Sequence, residues 1–178
     1  MNTRNTSLPD FITATQNDAS CHFPSLSKAL HILIQVMRAK EPTLLEHGRR
    51  TAHYATALGH AVGISARELI DLHYAALLHD IGKLLLSDGT LQKDSPLTHE
   101  EYAFVQCHPR DGARLLETIP ALRRAAVLVA HHHEHWDGSG YPYGLRGTFI
   151  PLGSRILAVA DRFDALCSEK NDAHIDER

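Results

Sequence analysis

Several features are scarce in this sequence, and each absence excludes a class of protein. The 178 residues carry 18 Lys and Arg against 21 Asp and Glu, so the formal net charge of −3 gives no basic excess for a nucleic-acid polymer. No apolar run approaches the roughly 18 residues that a membrane span needs, and the N-terminal stretch has no apolar segment of signal-peptide type. The sequence therefore predicts a cytoplasmic protein with no membrane span.

Cysteine and strand patterns are scarce as well. The three cysteines are Cys21, Cys107 and Cys167, and no two of them have Cys-x-x-Cys spacing. An odd number without a framework fits a reducing compartment and argues against a disulfide-stabilised secreted domain. No segment alternates apolar and polar residues with a period of two, so no half-buried strand is predicted.

Apolar residues recur at helical spacing through most of the chain, and the sequence predicts an all-α bundle of about seven helices. Residues 1–24 are polar and are predicted to form a flexible N-terminal segment, followed by a single domain over 25–178. Thr98 and Glu101 have the spacing of a capping box, which predicts a helix start. A helix from Thr43 to Val62 is expected to turn inward its residues Leu44, His47, Thr51, Tyr54, Leu58 and Ala61.

Histidine is the residue in excess, with 14 in the chain. His79 and Asp80 end an apolar helix, where an imidazole beside a carboxylate is costly unless the two are paired or bind a metal. A histidine at a helix end beside a capping aspartate explains the pair equally well. Gly82 and Lys83 follow, and they offer a close backbone approach and a cation beside the pair.

A second concentration of imidazoles follows the apolar run AAVLVA. Four of the five residues from 131 to 135 are histidines. Successive residues of a helix diverge by about 100°, so no more than two or three of these side chains can face one site. His131 and His135 are the expected bystanders.

Other polar residues at apolar positions have ordinary explanations when they are taken singly. His47 and His108 each fit a hydrogen-bonded core histidine, and Asp161 needs a partner because it follows ILAVA. Asp164 fits an exposed helix residue. Together, the candidates form a nitrogen and oxygen ligand set that suits iron, manganese, zinc or nickel and is large enough for two metals sharing a carboxylate. The set is His47, His79, Asp80, His108, His132, His133 and Asp161.

Ordered motifs in this chain resemble those of the HD-GYP domain, a branch of the HD superfamily of metal-dependent phosphohydrolases. They are HDIGK at 79–83, HP at 108–109, HHEHWDGSGYP at 132–142 and PLGSRILAVADRFDAL at 151–166. The stretch EHGRR around His47 resembles the opening helix of that domain. The resemblance covers about residues 40–170.

The resemblance implies a helical bundle around a metal site that hydrolyses cyclic di-GMP to pGpG or GMP in bacterial second-messenger signalling. The implied cofactors are two divalent transition-metal ions, with iron or manganese favoured. One ion would be held by His47, His79, Asp80 and Asp161, and the other by Asp80, His108, His132 and His133. Lys83 and Asp80 would act in catalysis, and the implied substrate-binding residues are Gly140, Tyr141, Pro142 and Lys170. Family members that bind a third metal carry a glutamate at the position of Thr43, so two metals are expected here.

The C-terminal segment departs from the family pattern. An arginine followed by an R-P-Y-R-like stretch is usual after the last motif, whereas this chain reads SEKNDAH with Lys170 in place of the arginine. Domains of the family usually continue through further helices, so we expect either a short member of the family or a C-terminal cap that comes from elsewhere. The alternative hypothesis is therefore a non-catalytic signalling module that acts through nucleotide binding or through proteins such as diguanylate cyclases. A third hypothesis is an HD hydrolase that acts on another nucleotide. The loop that contains Gly140, Tyr141 and Pro142, called the GYP loop, argues against it.

Overall fold

The structure is a computed structural model that describes residues 26–91, 93 and 95–168. This part of the chain is all-α, as the sequence predicted. Seven of its helices have seven or more residues and one has four, in agreement with the expected number. The helices are α1 Leu26–Lys40, α2 Pro42–Val62, α3 Ala66–Leu78, α4 Asp88–Leu91, α5 His99–Val105, α6 His108–Glu117, α7 Arg123–Ala130 and α8 Leu152–Cys167. The predicted N-terminal segment 1–24 and Lys170 lie outside the described residues.

The helix boundaries follow local signals in the sequence. Ser65 and Thr98 each begin a helix with a reciprocal capping box, and Gly63 ends α2 in the left-handed region at a φ of 82°. Pro109 does not interrupt a helix but lies in the first turn of α6, where its missing N–H costs nothing. Helix α6 therefore begins at His108, one residue before this proline.

Helix α2 is central because it packs against both α3 and α8, while α6 packs against α7 and α7 against α3. Their shared core is made mainly of alanine, leucine, isoleucine and valine side chains. Within the described residues, every helix is too short or too polar to cross a bilayer. The packing brings the C-terminal end of α3 next to α8 and the turn after α7.

The inner face of α2 is rotated from the predicted one. Ala61 is exposed, whereas Gly48 and Gly59 are buried against α3. A Cβ atom at Gly48 would overlap the Leu77 carbonyl oxygen, so the glycine permits close contact between the two helix backbones. The observed face also includes Leu45, Ala52 and Ala55, while its two glycines give no hydrophobic signal in the sequence. The rotation places His47 at the edge of the interface, within reach of both α3 and α8.

Candidate metal centre

Two groups of side chains bring potential metal ligands within 4.8 Å of one another. The first group, His47, Asp80 and His79, comes from α2 and from the end of α3. The second group is formed by His108 at the start of α6 and by His132 and His133 in the turn after α7.

The carboxylate of Asp161 on α8 lies against the first group. Its Oδ1 atom is 2.9 Å from His47 Nε2 and 3.4 Å from His79 Nε2. Its exposed fraction is 20%, so it forms part of the site's open edge. With Asp161 included, the structure brings together all seven ligands that the sequence suggested.

Asp80 lies between the two groups. Its Oδ2 atom is 3.5 Å from His79 Nε2 and 3.9 Å from His47 Nε2, while its Oδ1 atom is 3.2 Å from His108 Nε2. The residue is only 2% exposed. One carboxylate thus faces imidazoles of both groups, which is the arrangement that a shared ligand requires.

Three histidines are oriented by the carbonyl groups at helix ends. Each donates from Nδ1 to the carbonyl oxygen three residues earlier, at 2.9 Å for His79, 2.7 Å for His108 and 2.7 Å for His132. These carbonyls belong to the last turns of α3, α5 and α7, where a helix leaves its acceptors without partners. Because a carbonyl only accepts, the hydrogen of each neutral ring lies on Nδ1 and the lone pair of Nε2 points into the site.

The donor set fits a divalent transition metal. His108 Nε2 lies 3.4 Å from His132 Nε2, so two lone pairs face each other when both rings are neutral. The buried Oδ1 atom of Asp80 has no hydrogen bond. A cation among these atoms removes the repulsion and gives the carboxylate oxygen a partner, and imidazole with carboxylate is a donor combination that such metals favour. The described residues can therefore hold a metal.

The two groups have different electrostatic character. Burial opposes ionisation of Asp80 and Asp161, but Lys83 beside Asp80, and the imidazoles beside both carboxylates, hold the two pKa values well below the ordinary range. Burial also acts to lower the pKa of His47, yet the carboxylates around it raise that pKa to about 9. The first group thus attracts positive charge.

The second group consists of imidazoles that remain neutral. Burial is the main cause that lowers the pKa of His108 and His132, and it lowers the pKa of His133 to about 3. A metal ligand must be an unprotonated imidazole, so this group is ready to bind without first losing protons.

The predicted catalytic residue Lys83 lies beside Asp80, and the predicted substrate-binding residues of the GYP loop lie beside the second group. Lys83 Nζ is 2.9 Å from Asp80 Oδ2. The ring of Tyr141 stacks on His133 with centroids 4.9 Å apart. A Cβ atom at Gly140 would overlap backbone atoms around His133, so the loop folds tightly onto the site. Pro142 is half-buried and follows Tyr141 in this loop.

The expectation that Asp164 is an exposed helix residue is wrong. The residue is 1% exposed, and its carboxylate accepts hydrogen bonds from His47 Nδ1 at 2.7 Å and from Arg50 Nε and Nη2, each at 2.8 Å. The spacing held a signal, because Asp164 follows Asp161 by three residues and Arg50 follows His47 by three. Residues three apart on a helix share a face.

Glu134 is a second functional candidate that the sequence reasoning passed over. It is 5% exposed, and its two carboxylate oxygens accept from the backbone N–H groups of Tyr143 and Leu145, both at 2.8 Å. The side chain thus holds the backbone of the GYP loop just after Pro142. His131 and His135, the expected bystanders, lie outside both groups.

Comparison with known proteins gives consistent matches. Residues 31–174 match the family described as "HD domain". The cyclic di-GMP phosphodiesterase response regulator RpfG of Xanthomonas campestris is 42% identical over 68% of this chain and 32% of its own length. The 3'3'-cGAMP-specific phosphodiesterase 3 of Vibrio cholerae is 36% identical over 85% of this chain and 34% of its own length. The chain therefore spans about a third of the length of these curated relatives.

A solved structure shares the fold. A Bdellovibrio bacteriovorus protein described as an HDG"Y"P protein superimposes with a TM-score of 0.61, at 24% identity, over 80% of this chain and 48% of the other. The fold of this chain is thus one that a known protein also has.

Proposed function

The chain belongs to the HD-domain family, and from this premise we propose that it is a metal-dependent phosphodiesterase that hydrolyses cyclic di-GMP to pGpG or GMP. The family match confirms the resemblance that the motifs carried. The observation that carries the proposal is the convergence of the two ligand groups on Asp80, whose buried Oδ1 atom has no hydrogen bond. A phosphodiester carries negative charge, and a site that holds cations at this point can bind it.

The proposed cofactors are two divalent ions, with iron or manganese favoured. The first group with Asp161 would hold one ion, and the second group with Asp80 would hold the other. Ions held there would supply Lewis acidity toward the phosphate and would acidify water. The separation of the ligands into two groups, with Asp80 facing both, supports two ions over one.

The remaining residues have roles that follow from their positions. Lys83 is half-buried beside Asp80 and would place a positive charge next to the phosphate, where it can offset charge that develops during displacement. Tyr141 covers one side of His133 and, with Gly140 and Pro142, would form the wall that contacts the substrate. Lys170 is proposed as a further substrate contact from the sequence alone.

A second candidate substrate is 3'3'-cGAMP, because one of the matched relatives is named as specific for it. The two cyclic dinucleotides share the phosphodiester ring and differ in one base. The ligand groups act on the phosphate, so they do not distinguish the two. Discrimination would come from residues that contact the bases.

The test is a hydrolysis assay on protein loaded anaerobically with Fe(II) or Mn(II). We expect cyclic di-GMP to yield pGpG or GMP, measured by chromatography, and 3'3'-cGAMP is assayed in parallel. Asp80→Asn should abolish the reaction, while Asp111→Asn serves as the matched control because Asp111 pairs with surface arginines outside both groups. Bound metal without turnover of either nucleotide would contradict the proposal and favour the non-catalytic signalling module.

A further inference from the structure

His47 differs from the other oriented histidines in its place on a helix. It lies in the interior of α2, where the carbonyl groups of the preceding turn accept hydrogen bonds from the helix itself. No carbonyl of a helix end is therefore available to hold its Nδ1 atom, in contrast to His79, His108 and His132. The ring needs an acceptor from elsewhere to keep Nε2 turned into the first group.

Asp164 on α8 supplies that acceptor. Its Oδ2 atom is 2.7 Å from His47 Nδ1, and on the other side of the ring His47 Nε2 faces Asp161 Oδ1 at 2.9 Å. Arg50, one turn after His47 on α2, donates from Nε to one oxygen of Asp164 and from Nη2 to the other. The guanidinium fork thus fixes the plane of the carboxylate.

Burial and charge fix the orientation of Asp164 and the position of the hydrogen on His47. Asp164 is 1% exposed, and a buried carboxylate with a bidentate arginine has little freedom to rotate. An ionised carboxylate is an acceptor at both oxygens, so it holds a hydrogen of His47 on Nδ1 and turns Nε2 toward Asp161 and the first group, where a metal would bind. The three side chains connect α2 to α8 directly behind the first group.

We propose that Asp164, held by Arg50, is a positioning residue that orients His47, so that the affinity of the first group for a metal ion depends on this link between α2 and α8. The inference rests on the proposed function only in taking the first group as a metal site. Asp164 does not contact the metal or the substrate, and it acts through His47.

The geometry predicts what an amide would do in place of this carboxylate. In Asp164→Asn, the NH2 group must face either Arg50 Nε or both Arg50 Nη2 and His47 Nδ1, and each orientation sets donor against donor. Partners of this kind around metal-binding histidines typically contribute about 10- to 100-fold in metal affinity. We expect a loss of that size at one ion site and an unchanged second site.

The experiment is a titration of the metal-free full chain with Mn(II) by calorimetry, for the original protein and for Asp164→Asn. Glu46→Gln is the matched control, because Glu46 also pairs with an arginine on α2 but is exposed. Arg50→Lys is the second variant, since it keeps a positive charge but loses the fork, and it should weaken the same site by a smaller factor. Circular dichroism checks that each variant is folded.

A second readout separates positioning from general stability. In the Zn(II)-loaded protein, nitrogen NMR of the histidine side chains should show the hydrogen of His47 on Nδ1, and Arg50→Lys should alter the His47 signals while those of His132 stay unchanged. Manganese affinity equal to the original protein in both folded variants would overturn the inference, as would unchanged His47 signals in Arg50→Lys. If the original protein binds metal but hydrolyses neither nucleotide, the proposed function fails, whereas weakened binding in the variants would still support this inference.

Discussion

The two ligand groups contain the same kind of side chain but are held in different ways. In the first group, His47 is oriented by the carboxylate of Asp164, which comes from a distant part of the chain. In the second group, His108 and His132 are oriented by carbonyls three residues earlier, and the adjacent His133 contacts Tyr141 of the GYP loop. His79 of the first group also bonds to a helix-end carbonyl, so the two groups differ at His47. The first group depends in part on packing between long helices, whereas the second depends on local helix ends and a loop.

The two groups also differ in charge. The first group has Asp80 and Asp161, whose ionised forms are favoured, whereas the second adds neutral imidazoles to the Oδ1 atom of Asp80. Attraction between a divalent ion and carboxylates is strong in a buried site. We therefore expect the first group to bind metal more tightly, and the second to depend more on Asp80 and on the loop.

The largest effect is expected from Asp80→Asn, because this substitution alters both groups at once. The amide removes the negative charge beside Lys83 and leaves each group with weaker donors. We expect a loss of metal affinity greater than the about 10- to 100-fold that is typical of an indirect contact. Metal content by mass spectrometry and kcat/KM for cyclic di-GMP are the measurements.

Retention of two metal equivalents in Asp80→Asn would contradict this prediction. It would mean that the two groups bind metal independently and that Asp80 is not a shared ligand.

Replacing one histidine in either group should affect the ion of that group and leave the other ion bound. We expect His47→Ala and His132→Ala each to lower the bound metal from two equivalents to one, since each removes a ligand that the other group does not use. Hydrolysis of cyclic di-GMP should be lost in both variants because the proposed reaction uses both ions. Metal stoichiometry with Mn(II), measured on protein shown to be folded by circular dichroism, checks this, and loss of both ions in either variant would contradict it.

The sequence predicted most of the fold because its helix signals are local. Ser65 with Glu68, Thr98 with Glu101, and Gly63 are contained within one turn of chain, and each ends or begins a helix in the structure. The inner face of α2 was not predicted, because it depends on how closely α3 approaches, and that distance is a property of the packed pair of helices.

The candidate ligands were also found from the sequence, since polar side chains at the ends of apolar helices are unusual. Their convergence was inferred from the residue types and then from the resemblance, and the structure brings these side chains close together. The residues behind the ligands, Asp164 and Glu134, were missed for a common reason. A carboxylate that accepts from a distant histidine, or from backbone further along the chain, looks like any surface acid until the partner is known.

A stability effect of intermediate size is expected from Gly82→Ala, which acts on the second group through the backbone. A Cβ atom there would overlap the carbonyl of His108 and approach the backbone N–H of Gly112. We expect the free energy of unfolding to fall by about 1–3 kcal/mol, as overpacking commonly costs. Urea denaturation measures it, and displacement of His108 should weaken metal binding at the second group more than at the first.

The matched control for that prediction is Gly89→Ala. Nothing lies within 4 Å of a Cβ atom at Gly89, which is an exposed residue of α4. We expect a change within about 0.5 kcal/mol. Equal effects from the two substitutions would show that close packing at Gly82 is not what holds His108.

The smallest effect is expected from Glu134→Gln, which tests whether the second group depends on the loop. The carboxylate accepts from the N–H groups of Tyr143 and Leu145, and an amide can accept at only one oxygen, so one buried N–H loses its partner. Such a loss costs about 1–3 kcal/mol, and the lower part of this range is expected because the loop is partly exposed. Urea denaturation gives the free energy, with Glu100→Gln on the exposed side of α5 as the control.

Because Tyr141 lies in the loop and stacks on His133, KM for the nucleotide should rise and the second ion should bind more weakly, while the first ion is unaffected. Equal weakening of both ions would mean that the loop supports the whole centre, and the distinction between a helix-held and a loop-held group would be wrong.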